Sequence, residues 1–219
     1  MVKGVAMKRH LMFSLLLPLA MLLAACAQND ANTPTPNATF VNVMRPSGVR
    51  ALAIDPRDGH LLKATSEGLF QSRDDGKSWQ AMMLPTDVAG KGVSQVAIHK
   101  DQPDTIYIAG EQIGIWRSRD AGKTWEKVTH GLPNEQVSAL ALHSNGYPRD
   151  DSKSLFAWVA GVGSFESHDE GDNWKRPPDK GPPNLNVLAL VHSALPGSMQ
   201  TGWLYASTPD GAYLSMDCF

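Results

Sequence analysis

Ser118-Arg119-Asp120-Ala121-Gly122-Lys123-Thr124-Trp125 occurs in three versions in this 219-residue chain. Ser72 to Trp79 reads SRDDGKSW, and Ser167 to Trp174 reads SHDEGDNW. A degenerate start of a fourth copy, Ser215-Met216-Asp217, lies near the end of the sequence. The serines at 72, 118, 167 and 215 are 46, 49 and 48 residues apart. A period of that size marks a repeat architecture, in which stacked units bury one continuous core. Each octet reads as strand–turn–strand. The third-position acids Asp74, Asp120 and Asp169 are placed to accept from backbone N–H groups of the turn. Gly76, Gly122 and Gly171 supply positive φ without steric cost. Ser72, Ser118 and Ser167 can close local hydrogen bonds beside them, and Trp79, Trp125 and Trp174 open the next strand as apolar anchors between sheets.

Working outward, every unit has the same parts. An alternating apolar run comes first: Val49 to Ile54, Val93 to Ile98, Val137 to Leu142, Val187 to Val191. A short strand-like run follows: Leu61 to Thr65, Thr105 to Ala109, Leu155 to Ala160, Trp203 to Ser207. Next is glycine and an aromatic, as in Gly68-Leu69-Phe70, Gly114-Ile115-Trp116, Gly163-Ser164-Phe165 and Gly211-Ala212-Tyr213. The strand begun by the octet's Trp is fourth. Period-two apolar patterning broken by Gly and Pro predicts strands. Four strands per repeat predict an all-β fold, a β-propeller of four-stranded antiparallel blades with four blades visible. The last unit lacks a fourth strand, and Thr39-Phe40-Val41-Asn42-Val43 offers one, with Phe40 in the place of Trp. That strand would close a ring of four, or equally a larger propeller of which these four blades are a part.

The octet resembles the Asp-box, or BNR, repeat, S-x-D-x-G-x-[TS]-W, of sialidases, Vps10 and sortilin-type receptors, xyloglucanase-like glycosidases and photosystem II assembly factors. The resemblance implies that the box residues are structural and lie away from any active site. It implies ligand binding on the opposite face or at the channel mouth.

The N-terminal stretch is of another kind. Lys3, Lys8 and Arg9 precede an apolar run from Leu11 to Ala25, too short for a comfortable membrane span and patterned like a secretory signal. Leu23-Ala24-Ala25-Cys26 resembles a bacterial lipobox, which implies cleavage before Cys26 and lipidation of that cysteine. Ala27 after it implies outer-membrane sorting where the cell has two membranes. The domain reading is therefore a lipoprotein signal peptide over 1–25, a lipidated Cys and Pro/Asn/Thr-rich tether over 26–38, and the propeller over 39–219. Removing 1–25 leaves 17 basic against 22 acidic residues, a formal charge of −5. No basic run speaks for a nucleic-acid partner. With Cys26 lipidated, Cys218 has no cysteine to pair with, so neither a disulfide framework nor a cysteine zinc site is expected. No cofactor or metal is implied.

On the face opposite the boxes, Glu67, Asp87, Glu111, Glu135 and Asp210 are the candidate ligand-facing acids, and each is also an ordinary solvated loop residue type. The loop Pro177 to Pro183 is stiffened by proline and favours a preformed surface. His99, His143 and His192 follow first strands, with Asp55 in the corresponding place; separate blades and local turn bonding speak against a metal set. Two classes of function are compatible with this. One is a lipid-anchored binding or assembly scaffold for a protein or glycan partner, with no catalytic residues. The other is a glycoside hydrolase, which needs two carboxylates about 5–10 Å apart. Glu67 with Asp210, or Glu111 with Asp87, are its candidate pairs. The Phe-Arg-Ile-Pro signature of sialidases is absent, and tyrosines are few: Tyr107, Tyr205 and Tyr213 lie in strands.

Overall fold

The structure is a computed structural model, and residues 48–143, 153–177, 181–193 and 203–215 are described. They lie in the compact unit Met44–Phe219. The N-terminal strand at 39–43, Cys26, Cys218 and the fourth partial octet beyond Ser215 fall outside them.

Fourteen strands are described, in four antiparallel sheets. Blade one is β1 (Val49–Ile54), β2 (Leu61–Thr65), β3 (Gly68–Ser72) and β4 (Gln80–Ala81). Blade two is β5 (Gln95–Ile98), β6 (Ile106–Gly110), β7 (Gly114–Ser118) and β8 (Glu126–Lys127). Blade three is β9 (Val137–Leu142), β10 (Leu155–Val159) and β11 (Gly163–Ser167). Blade four is β12 (Ala189–Ser193), β13 (Trp203–Thr208) and β14 (Gly211–Ser215). Strands pair in sequence order within each blade, the meander expected of propeller blades.

The fourth strands are shorter than the sequence pattern suggests. Trp79 and Trp125 stand just before two-residue strands, and in blade three the strand shrinks to one bridge, Glu166 with Lys175. Pro177 and Pro178 follow two residues later, and proline has no N–H to extend the ladder.

Blades pack in series through their first strands, β1 beside β5, β5 beside β9, and β9 beside β12. Because side chains alternate, one face of each blade meets the blade before and the other meets the blade after. Leu62, Ala64 and Leu69 of blade one bury against Val96, Ile108 and Trp116 of blade two. Tyr107, Ala109 and Ile115 of blade two bury against Leu140, Leu155 and Phe165 of blade three. Ala139, Phe156 and Trp158 of blade three bury against Val187, Leu190 and Leu204 of blade four. The central strands β6, β7 and β10 are consequently buried along their whole length. Met82 packs beside the first of these clusters, whereas Met83 is a rim residue at 82% exposure.

Polar groups reinforce the same seams. Arg57 binds Asp55 in its own turn and reaches Asp104 of blade two, both at 2.7 Å. Arg117, 2% exposed, donates to Glu126 at 2.8 Å, to Asp172 of blade three at 2.7 Å and to the Glu170 carbonyl at 2.7 Å. Tyr107 Oη donates to that same carbonyl, and burial pushes its phenol up to about 12. Arg117→Met is expected to cost about 2 kcal/mol, the range for lost hydrogen bonds to a charged group. Glu126 and Asp172 are half-exposed and resolvate, and the less exposed Glu170 carboxylate, 3.8 Å away, keeps its pairing with Arg119, so the larger penalty of a stranded buried charge does not apply. A denaturant titration followed by tryptophan fluorescence measures it.

Candidate functional site

The three boxes are near-identical hydrogen-bonded knots. In each, the Ser hydroxyl donates to the Asp carboxylate, at 2.8 Å from Ser72 to Asp74, 2.8 Å from Ser118 to Asp120 and 2.7 Å from Ser167 to Asp169. The Gly N–H donates back to the Ser oxygen at 2.8–2.9 Å. The seventh residue (Ser78, Thr124, Asn173) donates its N–H to one carboxylate oxygen and its side chain to the other. Gly122 has φ +85° and, as expected, supplies the left-handed backbone. The fourth position is left-handed too, at Asp75, Ala121 and Glu170, a strain that the residue types there do not announce.

Every box acid is therefore committed to its own turn. The Ser78 hydroxyl, then the Ser78 N–H, then the Ser72 hydroxyl hold Asp74 down to about 2. The Thr124 hydroxyl, followed by its N–H, does the same for Asp120, also to about 2. For Asp169 burial pushes upward, but the Asn173 donors and Ser167 leave it below the ordinary range. A carboxyl that binds its proton more weakly when folded stabilises the fold above its unfolded pKa and loses that contribution as pH falls through its folded one. Melting temperature is thus expected to hold above pH ~4 and to fall progressively between pH ~4 and ~2 as Asp74 and Asp120 protonate; a calorimetric pH series checks this.

The indole N–H groups tie the boxes across blades. Trp125 donates to the Met83 carbonyl of blade one at 3.1 Å, and Trp174 to the Val128 carbonyl of blade two at 2.8 Å. Trp79 donates instead to Gly76 of its own turn. The box turns share one face with the loops after the first strands. Ala121 N–H bonds Asp104, and Glu170 N–H bonds Lys153, each within its own blade.

The opposite face carries the candidate acids. Glu67, Glu111 and Asp210 occupy the turns between second and third strands of blades one, two and four. The buried Thr65 hydroxyl accepts the Glu67 N–H and donates to the Gly68 carbonyl. The Thr208 hydroxyl lies within reach of both the Asp210 carboxylate and the Gly211 carbonyl, so its one proton is shared between these two acceptors. Asp210 also accepts from Asn184 at 2.9 Å and Tyr213 at 3.2 Å, and these donors, Thr208 first, hold it below the ordinary carboxylate range. Glu135, between blades two and three, pairs with Lys127, and Asn134 beside it accepts from Gln136 N–H. Asp87 is exposed on the connection between blades one and two. The described bonds of Asp210 are to Thr208 and Tyr213 of blade four and to Asn184 on the connection leading into it, none to Glu67, and no bond is described between Glu111 and Asp87. Asp179 of the proline-rich loop lies outside the described residues.

The histidines occupy two different settings. His99 is a turn residue as expected, its Nδ1 accepting from Asp101 and Gln102 N–H, and Asp55 does likewise for Arg57. His192, however, lies inside β12 and pairs in register with Leu204. Its ring stacks on Phe156 with centroids 5.5 Å apart and approaches His143 of the preceding blade at 4.2 Å. The two rings stand on separate, adjacent blades as expected but meet across the seam between them, because the packed face of β12 continues from Leu190 to His192 and its flat imidazole fills an apolar position against Phe156. Among the described residues no three His, Cys, Asp or Glu side chains converge as a metal set.

A depression of about 380 Å³ lies on the box side of blade three, lined by Glu166, His168, Asp169, Asn173 and Lys175. It lies beside the one-residue remnant of the fourth strand, and only the prolines at 177 and 178 could have signalled it. Ser154 Oγ, His168 Nδ1 and Glu166 form a line there, at 2.9 and 3.5 Å. Ser154 is 3% exposed, so its hydroxyl meets no space for a substrate and the line acts as a turn lock.

The family model described as Sortilin, neurotensin receptor 3 (Sortilin-Vps10) matches residues 67–179, just over half of the chain and spanning all three complete boxes. The chain belongs to the sortilin–Vps10 family. No curated protein matches this sortilin-family chain. Among solved structures it is similar to a chain of the nidogen/laminin complex (TM-score 0.59, 14% identity, covering 77% of this chain and 60% of that one). An ancestral GH74 enzyme gives TM-score 0.57 at 18% identity, covering 78% and 23%. YCF48 bound to D1 peptide gives 0.50 at 16%, covering 75% and 50%. The sortilin-family chain thus spans less than two thirds of each of these chains. At such identities the likeness establishes the propeller fold alone, and the chain is a BNR-repeat β-propeller.

Proposed function

We propose that this protein is a lipid-anchored, non-catalytic propeller of the cell envelope that binds a protein partner on the face opposite its Asp boxes. Cys26 is the anchor in this reading, and an outer-membrane address follows from Ala27 behind it. The observation that carries the proposal is the state of that face. Its turns are locked by Thr65, Thr208, Asn134 and Asn184, so a partner meets a rim that need not be ordered on binding. Its acids are spread one to a turn, with Glu135 and Asp210 already committed to neighbouring side chains. Propellers of the same fold sit with protein in the nidogen/laminin complex and in YCF48 bound to D1 peptide.

The likeness to an ancestral GH74 enzyme favours the second reading, a glycoside hydrolase. It requires a carboxylate pair flanking one glycosidic bond. Purified protein is expected to leave aryl sialosides and plant or bacterial oligosaccharides intact. Hydrolysis that disappears in Glu67→Gln or Glu111→Gln would replace the scaffold reading with the enzymatic one.

A further inference from the structure

The seam between blades one and two encloses a cavity, and the repeat register accounts for it. In blade two, Tyr107 and Arg117 stand opposite each other on β6 and β7. Both cross to the carbonyl of Glu170, the fourth residue of the next box, and their bulk fills the seam between blades two and three. Leu62 and Gln71 hold the same two register positions in blade one. Both are shorter, and among the described bonds neither reaches the carbonyl of Ala121, the matching fourth residue. A cavity of about 70 Å³ remains on the box side of this seam, lined by both of them and by Ala121. Its floor is apolar, made by Leu62, Met82, Ile98 and Ile106.

The charges differ between the two seams as well. Arg119, the second residue of its box, bonds Glu126 and Glu170 at 2.8 Å each. Arg73 is the second residue of the blade-one box and lines the cavity. The positions matching Glu126 and Glu170 are Gln80 and Ala121, so both acids are missing. Among the described residues no carboxylate pairs with Arg73. The lining holds one acid, Asp55, and it is spent on Arg57, which also binds Asp104. His60, also in the lining, is turned to Asp58. A guanidinium presents paired N–H donors that match a carboxylate. Set beside an apolar floor, it makes the combination by which pockets select a small ligand, with area for the body and one polar group for orientation.

We propose that this seam binds a small aliphatic carboxylate, its anionic head on Arg73 and its tail on Leu62, Met82, Ile98 and Ile106. The cavity has about half the ~150 Å³ that holds benzene in an engineered apolar cavity, so the tail is about three carbons long. The occupant is a free small molecule. Its site lies on the box face and is independent of the protein partner proposed for the opposite face.

Saturation-transfer NMR of the full-length chain in mild detergent tests it. Butyrate is the probe, butylamine its cationic counterpart and protein-free detergent the blank. Butyrate is expected to bind with a Kd of about 1 mM, the range for a ligand of about six heavy atoms. Butylamine is expected to give no transfer above the blank. Arg73→Gln is expected to weaken butyrate by about tenfold or more. Its far-UV circular dichroism spectrum is expected to stay unchanged, since Arg73 is exposed and makes no described bond. Arg119→Gln, the same change in the next box, is expected to leave butyrate binding unaltered. Leu62→Tyr combined with Gln71→Arg refills the seam as in blade two and is expected to abolish binding. Should that double variant lose its spectrum, Arg73→Gln decides by itself. Equal transfer to butylamine, or binding that survives Arg73→Gln, would overturn the inference. No transfer to butyrate at concentrations well above ~1 mM would overturn it too.

Discussion

Trp174→Ala is expected to remove about 3–5 kcal/mol of folding stability, and Trp79→Ala only about 1 kcal/mol, although both occupy the eighth position of the same motif. Trp174 is 3% exposed, packs among Leu140, Leu155 and Phe165, and bonds the Val128 carbonyl of blade two. Removing it leaves a cavity in the seam between two blades together with an orphaned carbonyl. Trp79 is half-buried, with one side of its ring against Lys63 and its indole bonded within its own turn. For a domain of this size the first change lowers the melting temperature by roughly 10 °C and the second by a few degrees. Parallel thermal and denaturant unfolding of the two variants decides it. Equal losses would mean that the box Trp acts within its blade and not between blades.

Gly131→Ala is the second large effect, at about 3 kcal/mol or more. Gly131 belongs to no motif. Its φ is +96°, and a Cβ there would run into the Trp174 carbonyl oxygen, which is backbone and cannot rotate away. The adjacent His130 carbonyl accepts the Trp174 N–H, so the chain after blade two is held tightly to the box of blade three. Gly161→Ala is the control. Its φ is +72° with no atom within 4 Å of the added carbon, so only backbone strain of about 1 kcal/mol is expected. Comparable losses for the two would show that the close approach at Trp174 does not matter.

These residues show how much the sequence disclosed. The roles of the box Asp, Ser and Gly were legible, because these residues at fixed offsets have few alternatives within one tight turn, whereas the double donation from the seventh residue and the left-handed fourth position were not. The blade strands were legible from period-two patterning, to within a residue or two at their ends. The fourth strands were not, since two-residue strands carry no period and the prolines after Arg176 cut the third one to a bridge. His192 was misplaced because the apolar run Val187 to Val191 is continuous, and alternation alone cannot say where such a run enters the sheet. The cross-blade roles of Arg117 and Gly131 depend on contacts with residues more than 40 positions away. Nothing local encodes those. For the candidate site, the placement of Glu67, Glu111 and Asp210 on turns followed from strand order, whereas the pairing of Glu135 with Lys127 and of Asp210 with Asn184 needed the structure.

The most direct test of a scaffold that works through the face opposite its boxes is site-specific photo-crosslinking in intact cells. A photoreactive residue replacing Glu111 is expected to give a discrete adduct with one partner protein. The same residue replacing Lys123, exposed on the box turn of the same blade, is expected to give none. Adducts from the Lys123 position and not from Glu111 would contradict the account, as would silence at both positions.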